Sequence, residues 1–189
     1  MHEFQSKANK DGEDYVERCA EALERYGLIV VERKFRLPDC GVELDLVARN
    51  RHGITLLIEC KGGYNSGKKK GGFESSDNVR KAIGSAYTLS QSEAYTGEPY
   101  TPLIVMTTYI MPESSVMFQW MKYTQTCVLA DVVNDRDAAR LRWWSRIDWF
   151  GVMALAAEYP TVDWLLRSNR FWGFQAIGNL ALFGATNGN

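Results

Sequence analysis

The chain has 189 residues, 46% of them hydrophobic and 12% aromatic, which is enough for a packed core and excludes a disordered chain. Its net charge of −1 marks no strongly basic or acidic partner, although a near-neutral protein still has room for a basic groove. Four cysteines (Cys19, Cys40, Cys60 and Cys127) lack Cys-x-x-Cys spacing, which speaks against a zinc site or a disulfide framework and for a reducing, cytoplasmic setting. The polar N-terminus has no apolar core of a secretory leader, and the longest apolar run, Trp149 to Ala157, is far short of the ~20 residues that span a bilayer. No membrane partner is expected.

Residues 1–10 read as a loose polar start. Asp11 is placed to cap a helix from about residue 12 to 26, with Glu13 and Asp14 favourable in its first turn. Tyr15, Cys19, Ala22, Leu23 and Tyr26 recur at helical spacing and form its buried stripe, which Val16 and Ala20 widen. Glu13 and Glu17 are four apart and share a face. Gly27 ends the helix. Residues 28–37, LIVVERKFRL, form a β-rich segment in which Arg33, Lys34 and Arg36 alternate with Phe35 and Leu37, as on a solvated strand face. Residues 38–41 make a turn.

Two strands joined by a polar turn follow, between Glu43 and Lys61. Side chains on a strand alternate faces, so Glu43, Asp45 and Val47 share one face of the first strand, and Leu57, Glu59 and Lys61 one face of the second. The turn at residues 49–53 has the Asn and Gly of a hairpin reversal. Folding it back brings Asp45 beside Glu59 and Lys61. Two carboxylates and an ammonium beside apolar neighbours are costly to half-bury without a task. Holding a divalent metal against a phosphate is a task that fits.

Residues 62–73, GGYNSGKKKGGF, are a loop with little capacity to pack. A second helix is expected over about residues 77–91, with Val79, Ala82, Ile83, Ala86, Tyr87 and Leu89 inward. Residues 103–108 have the apolar run of a buried central strand, residues 127–133 read as another strand, and the pattern turns helical from Asp137. This order predicts an α/β sandwich on a mixed sheet. Residues 1–135 are the expected domain, and residues 136–189 a helical extension packed on the core or extending it. That extension holds five of the six tryptophans. Its aromatic residues supply burial first, with a homodimer or protein-partner contact as a second role and base stacking as a third.

An Asp, a short strand-turn-strand gap and then Glu-x-Lys, behind a helix bearing a Glu, resemble the PD-(D/E)xK nuclease superfamily. The residues are Glu17 or Glu13, Asp45, and Glu59-Cys60-Lys61. The spacing is similar to that of archaeal-type Holliday-junction resolvases, Mrr-like restriction enzymes and the small bacterial YraN-like proteins, over about residues 12–110. The resemblance implies a restriction-endonuclease-like α/β/α sandwich with a central mixed sheet, carrying the helical, Trp-rich C-terminal extension. It also implies metal-dependent endonuclease activity on DNA, with RNA not excluded, in repair, recombination or restriction. Asp45, Glu59, the backbone carbonyl of Cys60 and Glu17 would hold Mg²⁺ (Mn²⁺ as substitute), with the Cys60 side chain turned into the core. Lys61 would orient and activate water. Mg²⁺ takes hard oxygen ligands and keeps several waters, so one or two carboxylates suffice. Lys68, Lys69 and Lys70 in the loop, with Arg80 and Lys81 on the second helix, are the candidate phosphate-backbone contacts; solvated surface charge is their plain alternative. The rival reading of the whole chain is a non-catalytic nucleic-acid-binding protein that keeps the nuclease fold.

Overall fold

The computed structural model describes residues 2–62, 71–92, 103–109, 114–117, 127–130 and 138–148. Helix α1 (His2–Arg25) is followed by strands β1 (Ile29–Arg36), β2 (Glu43–Arg49) and β3 (Thr55–Lys61). A short 3₁₀ turn (Gly72–Glu74) leads into α2 (Ser76–Ser90). Strands β4 (Ile104–Thr107) and β5 (Cys127–Ala130) and helix α3 (Ala138–Trp144) complete the described elements. The strands form one sheet in the order β1-β2-β3-β4-β5. The first three are antiparallel neighbours, and β3, β4 and β5 run parallel. The molecule is thus of mixed α/β character, with a mixed sheet and helices.

The expected loose start is instead helical: α1 begins at His2, and Asp11 lies inside it rather than capping it. No Pro or Gly precedes Gly12, and Glu, Gln, Lys and Ala are good helix formers, so nothing stops the helix from extending towards the N-terminus. Its other end follows expectation. Gly27 adopts φ +88°, a conformation an L-residue resists. There the Leu28 N–H returns to the Leu23 carbonyl at 3.0 Å and the Gly27 N–H to the Glu24 carbonyl at 3.0 Å, which satisfies carbonyls the helix leaves open.

Strand alternation divides the core in two. Leu46, Ala48, Leu56, Ile58, Ile104 and Met106 pack with Tyr15, Cys19, Leu23 and the rest of the α1 stripe. Val47, Leu57 and Val105 face the other way and pack with Val79, Ala82, Ala86 and Leu89 of α2. Tyr87, expected inward, is 66% exposed; Val79, Ala82, Ala86 and Leu89 fill the α2 stripe, and Tyr87 falls outside it. Leu141, Trp143, Trp144 and Ile147 join the α1 side of the core. The tie is polar as well as apolar. Asn50, buried in the β2–β3 turn, donates its amide to the Trp144 carbonyl at 3.0 Å and the Ile147 carbonyl at 2.7 Å. Its side-chain oxygen accepts the His52 and Ile54 amides at 2.9 and 3.0 Å. One asparagine therefore shapes the hairpin turn and fastens the segment after β5 to it.

Candidate metal centre on the central strands

In β2 and β3, Leu46 stands opposite Ile58 and Val47 opposite Leu57. The pairing ends at Leu46–Ile58; just beyond it, Asp45 lies close enough to Glu59 for its charge to act there. With Lys61, both carboxylates belong to the odd-numbered set that faces the α2 side, while Cys60 turns to the α1 side and packs on its core. The structure thus brings Asp45, Glu59 and Lys61 together at the end of β3.

The polar contacts are specific. The Asp45 carboxylate accepts the Cys60 backbone N–H at 2.6 Å. Lys61 Nζ lies 2.5 Å from Glu59 Oε1, with 19% of the Lys61 side chain exposed and 6% of that of Glu59. The second carboxylate oxygen, Glu59 Oε2, is buried and has no hydrogen-bond partner among the described residues. Burial pushes the Glu59 carboxyl above the usual carboxylate range and Asp45 pushes it the same way; Lys61, and more weakly Lys81 on α2, hold it down. The Cys60 thiol is pushed well up by its contact with Cys19 and by burial, which keeps it protonated. Any part for Cys60 in a metal site falls to its backbone carbonyl.

Glu17 lies elsewhere. Its carboxylate takes both ends of the Arg33 guanidinium, Nε at 3.2 Å and Nη2 at 3.1 Å. Glu13 pairs with Lys34 at 3.6 Å. Both candidate helix acids are therefore engaged by β1, and the structure does not join either to Asp45 and Glu59. The physical reason is the rotation of α1. Tyr15, Cys19 and Leu23 must face the sheet to be buried, which leaves Glu13 and Glu17 at its exposed flank beside the basic strand. Among the described residues, no group of three or more His, Cys, Asp or Glu side chains is placed to hold a metal. The pair Asp45–Glu59 still fits a hard cation: it offers two carboxylates, and a buried oxygen that no described residue satisfies.

Of the predicted backbone contacts, Lys81 is exposed on α2 and close enough for its charge to act on Glu59. Arg80 makes an exposed pair with Asp77 at 3.5 Å. Lys68, Lys69 and Lys70 lie outside the described residues, as do Asp131 and the aromatic residues from Trp149 onward. Sequence reasoning passed over Thr107, and it gave Asn50 a place in the hairpin turn but not its bonds to the segment after β5. The pair of threonines that closes the apolar run at residues 103–108 was the available signal for the first. No protein-family model, curated protein or solved structure matches the chain. No helix among the described residues is long and apolar enough to cross a membrane.

Proposed function

We propose that this chain is a Mg²⁺-dependent endonuclease of the PD-(D/E)xK type, with a restriction-endonuclease-like core, hydrolysing phosphodiester bonds in DNA. One observation carries the reading. Asp45 and Glu59 lie close together on neighbouring strands, with Lys61 on Glu59 and a buried Glu59 oxygen left without a partner among the described residues. A structural ion pair would have little reason to leave that oxygen unsatisfied.

Asp45 and Glu59 would hold Mg²⁺ (or Mn²⁺), with the Cys60 carbonyl as a third oxygen. Bound there, the ion supplies positive charge to the phosphate and the attacking water. Asp45 is kept in place by the Cys60 amide. Lys61 donates from its ammonium to Glu59 in the free protein and, with substrate present, to a phosphate oxygen and the attacking water. Lys81 adds charge on the α2 side of the site. Glu17 has no part in this scheme, because Arg33 holds it.

The test is a cleavage panel of linear, nicked, branched and single-stranded DNA and of RNA, with Mg²⁺, Mn²⁺ or EDTA. Asp45→Ala and Lys61→Ala are expected to abolish cleavage while leaving the fold and most DNA binding intact. Equal cleavage in EDTA, or full activity of Lys61→Ala, would sink the mechanism. Salt-sensitive binding with no cleavage under any metal would favour the binding-protein reading instead.

A further inference from the structure

Thr107 closes β4 and is fully buried. Its register partner in the parallel pair is Lys61. Backbone groups from three segments converge on its hydroxyl. Oγ1 lies 2.8 Å from the Lys61 carbonyl and 3.0 Å from the Tyr109 carbonyl, and accepts the Phe73 N–H at 3.0 Å and the Tyr109 N–H at 3.4 Å. A hydroxyl has one proton, and the shorter acceptor is Lys61. Gly72 presses on the same point. A Cβ there would stand 2.5 Å from Thr107 Oγ1, 2.7 Å from Thr108 Oγ1 and 3.0 Å from the Lys61 carbonyl, and φ is +54°. The Asn78 amide then donates to the Gly72 carbonyl at 2.8 Å, tying in the first turn of α2. The end of β3, the turn before α2 and the end of β4 thus meet on one side chain.

We propose that Thr107 is the positioning residue for Lys61. Its hydroxyl holds the Lys61 carbonyl in register with β4 at the last residue of β3, where the ladder to β2 has already ended at Ile58. The backbone held there is what aims the Lys61 ammonium at Glu59. The catalytic consequence rests on the nuclease reading; the placement of Lys61 does not.

Two measurements test it on the full chain. The first is acylation of Lys61 by an N-hydroxysuccinimide ester, read by mass spectrometry relative to the exposed Lys81. The second is kcat and KM for DNA cleavage in Mg²⁺. In Thr107→Val, Lys61 acylation is expected to rise about fivefold, the ratio lost with one ordinary hydrogen bond. Its kcat is expected to fall about tenfold with KM within about twofold, as for a displaced catalytic group. Thr107→Ser should restore both. Asn50→Ala, destabilised at the far end of β3, should change neither at a temperature where it is folded. Thr107→Cys, of similar size and a weaker donor, should fall between valine and serine, and it decides the matter if the valine variant does not fold. Wild-type acylation in folded Thr107→Val or Thr107→Cys, or a serine variant no better than valine, overturns the proposal. So does an equal rise in acylation in Asn50→Ala. If the wild type cleaves nothing, the nuclease reading fails, and the acylation results still decide the role of Thr107.

Discussion

Asn50→Ala is expected to be among the costlier single truncations in the described part of the chain. The side chain is 3% exposed and makes four hydrogen bonds to backbone groups. His52 is exposed, so water replaces the bond to its amide. The other three partners, the Ile54 amide and the Trp144 and Ile147 carbonyls, belong to residues no more than 6% exposed. Each buried partner left unsatisfied costs about 1 kcal/mol or more, so the loss sums to about 3 kcal/mol. For a chain of this length that lowers Tm by roughly 6–12 °C. Urea unfolding followed by circular dichroism gives the free energy and thermal melts the Tm. Asn50→Asp keeps the acceptor oxygen but sets a carboxylate against two carbonyls, so it should lose at least as much. A loss under about 1 kcal/mol for the alanine variant, or an aspartate variant more stable than the alanine one, would refute the view that this asparagine joins the hairpin to α3. Cleavage by Asn50→Ala well below its Tm should match wild type, since the site lies at the opposite end of β3.

Arg33→Ala frees Glu17, and because both side chains are about half exposed it should cost at most about 1 kcal/mol, less in high salt; Glu17→Ala should cleave as wild type does, and loss of cleavage in it would return Glu17 to the site. Gly62→Ala places a Cβ 2.2 Å from the Tyr15 ring, which is buried under α1, so about 2 kcal/mol or more should be lost on overpacking; an unchanged melt would show that α1 yields there. The raised Glu59 carboxyl binds its proton more firmly folded than unfolded. Its penalty is therefore absent below the ordinary carboxylate value of about 4.3, grows as pH rises through the window up to the raised value, and is complete above it. In EDTA, wild type should accordingly lose stability relative to Glu59→Gln as pH is raised through that window; parallel urea midpoints across it would contradict the assignment.

Part of the candidate site's arrangement was legible before any tertiary contact was known. Period-two alternation sets Glu59 and Lys61 on one face of β3 and turns Cys60 to the other, because a strand has only two faces to offer, and the turn bearing Asn50 and Gly53 folds Asp45 of β2 back towards them. The hairpin, the second helix and the buried run at residues 103–108 carry equally local signals. The start of α1 was missed because a polar stretch of good helix formers lacks the apolar stripe that marks a helix against a core, although it has no breaker either. Tyr87 was misplaced because a helical wheel cannot tell how wide the buried stripe will be.

The hairpin's polar cluster was therefore written in the chain order of its residues: two acids and a lysine on adjacent strands, brought together by a turn of a few residues. What stands around that trio was decided only by packing. Burial of Tyr15, Cys19 and Leu23 set the rotation of α1, and so gave Glu17 to Arg33 instead of to the acids. Parallel pairing of β3 with β4 brought Thr107 to Lys61, and the docking of α3 brought Trp144 to Asn50. These partners are 16, 46 and 94 residues apart, and no spacing rule reaches them. A side chain's face follows from its own strand or helix, but its partner across the fold depends on which elements the whole core places side by side.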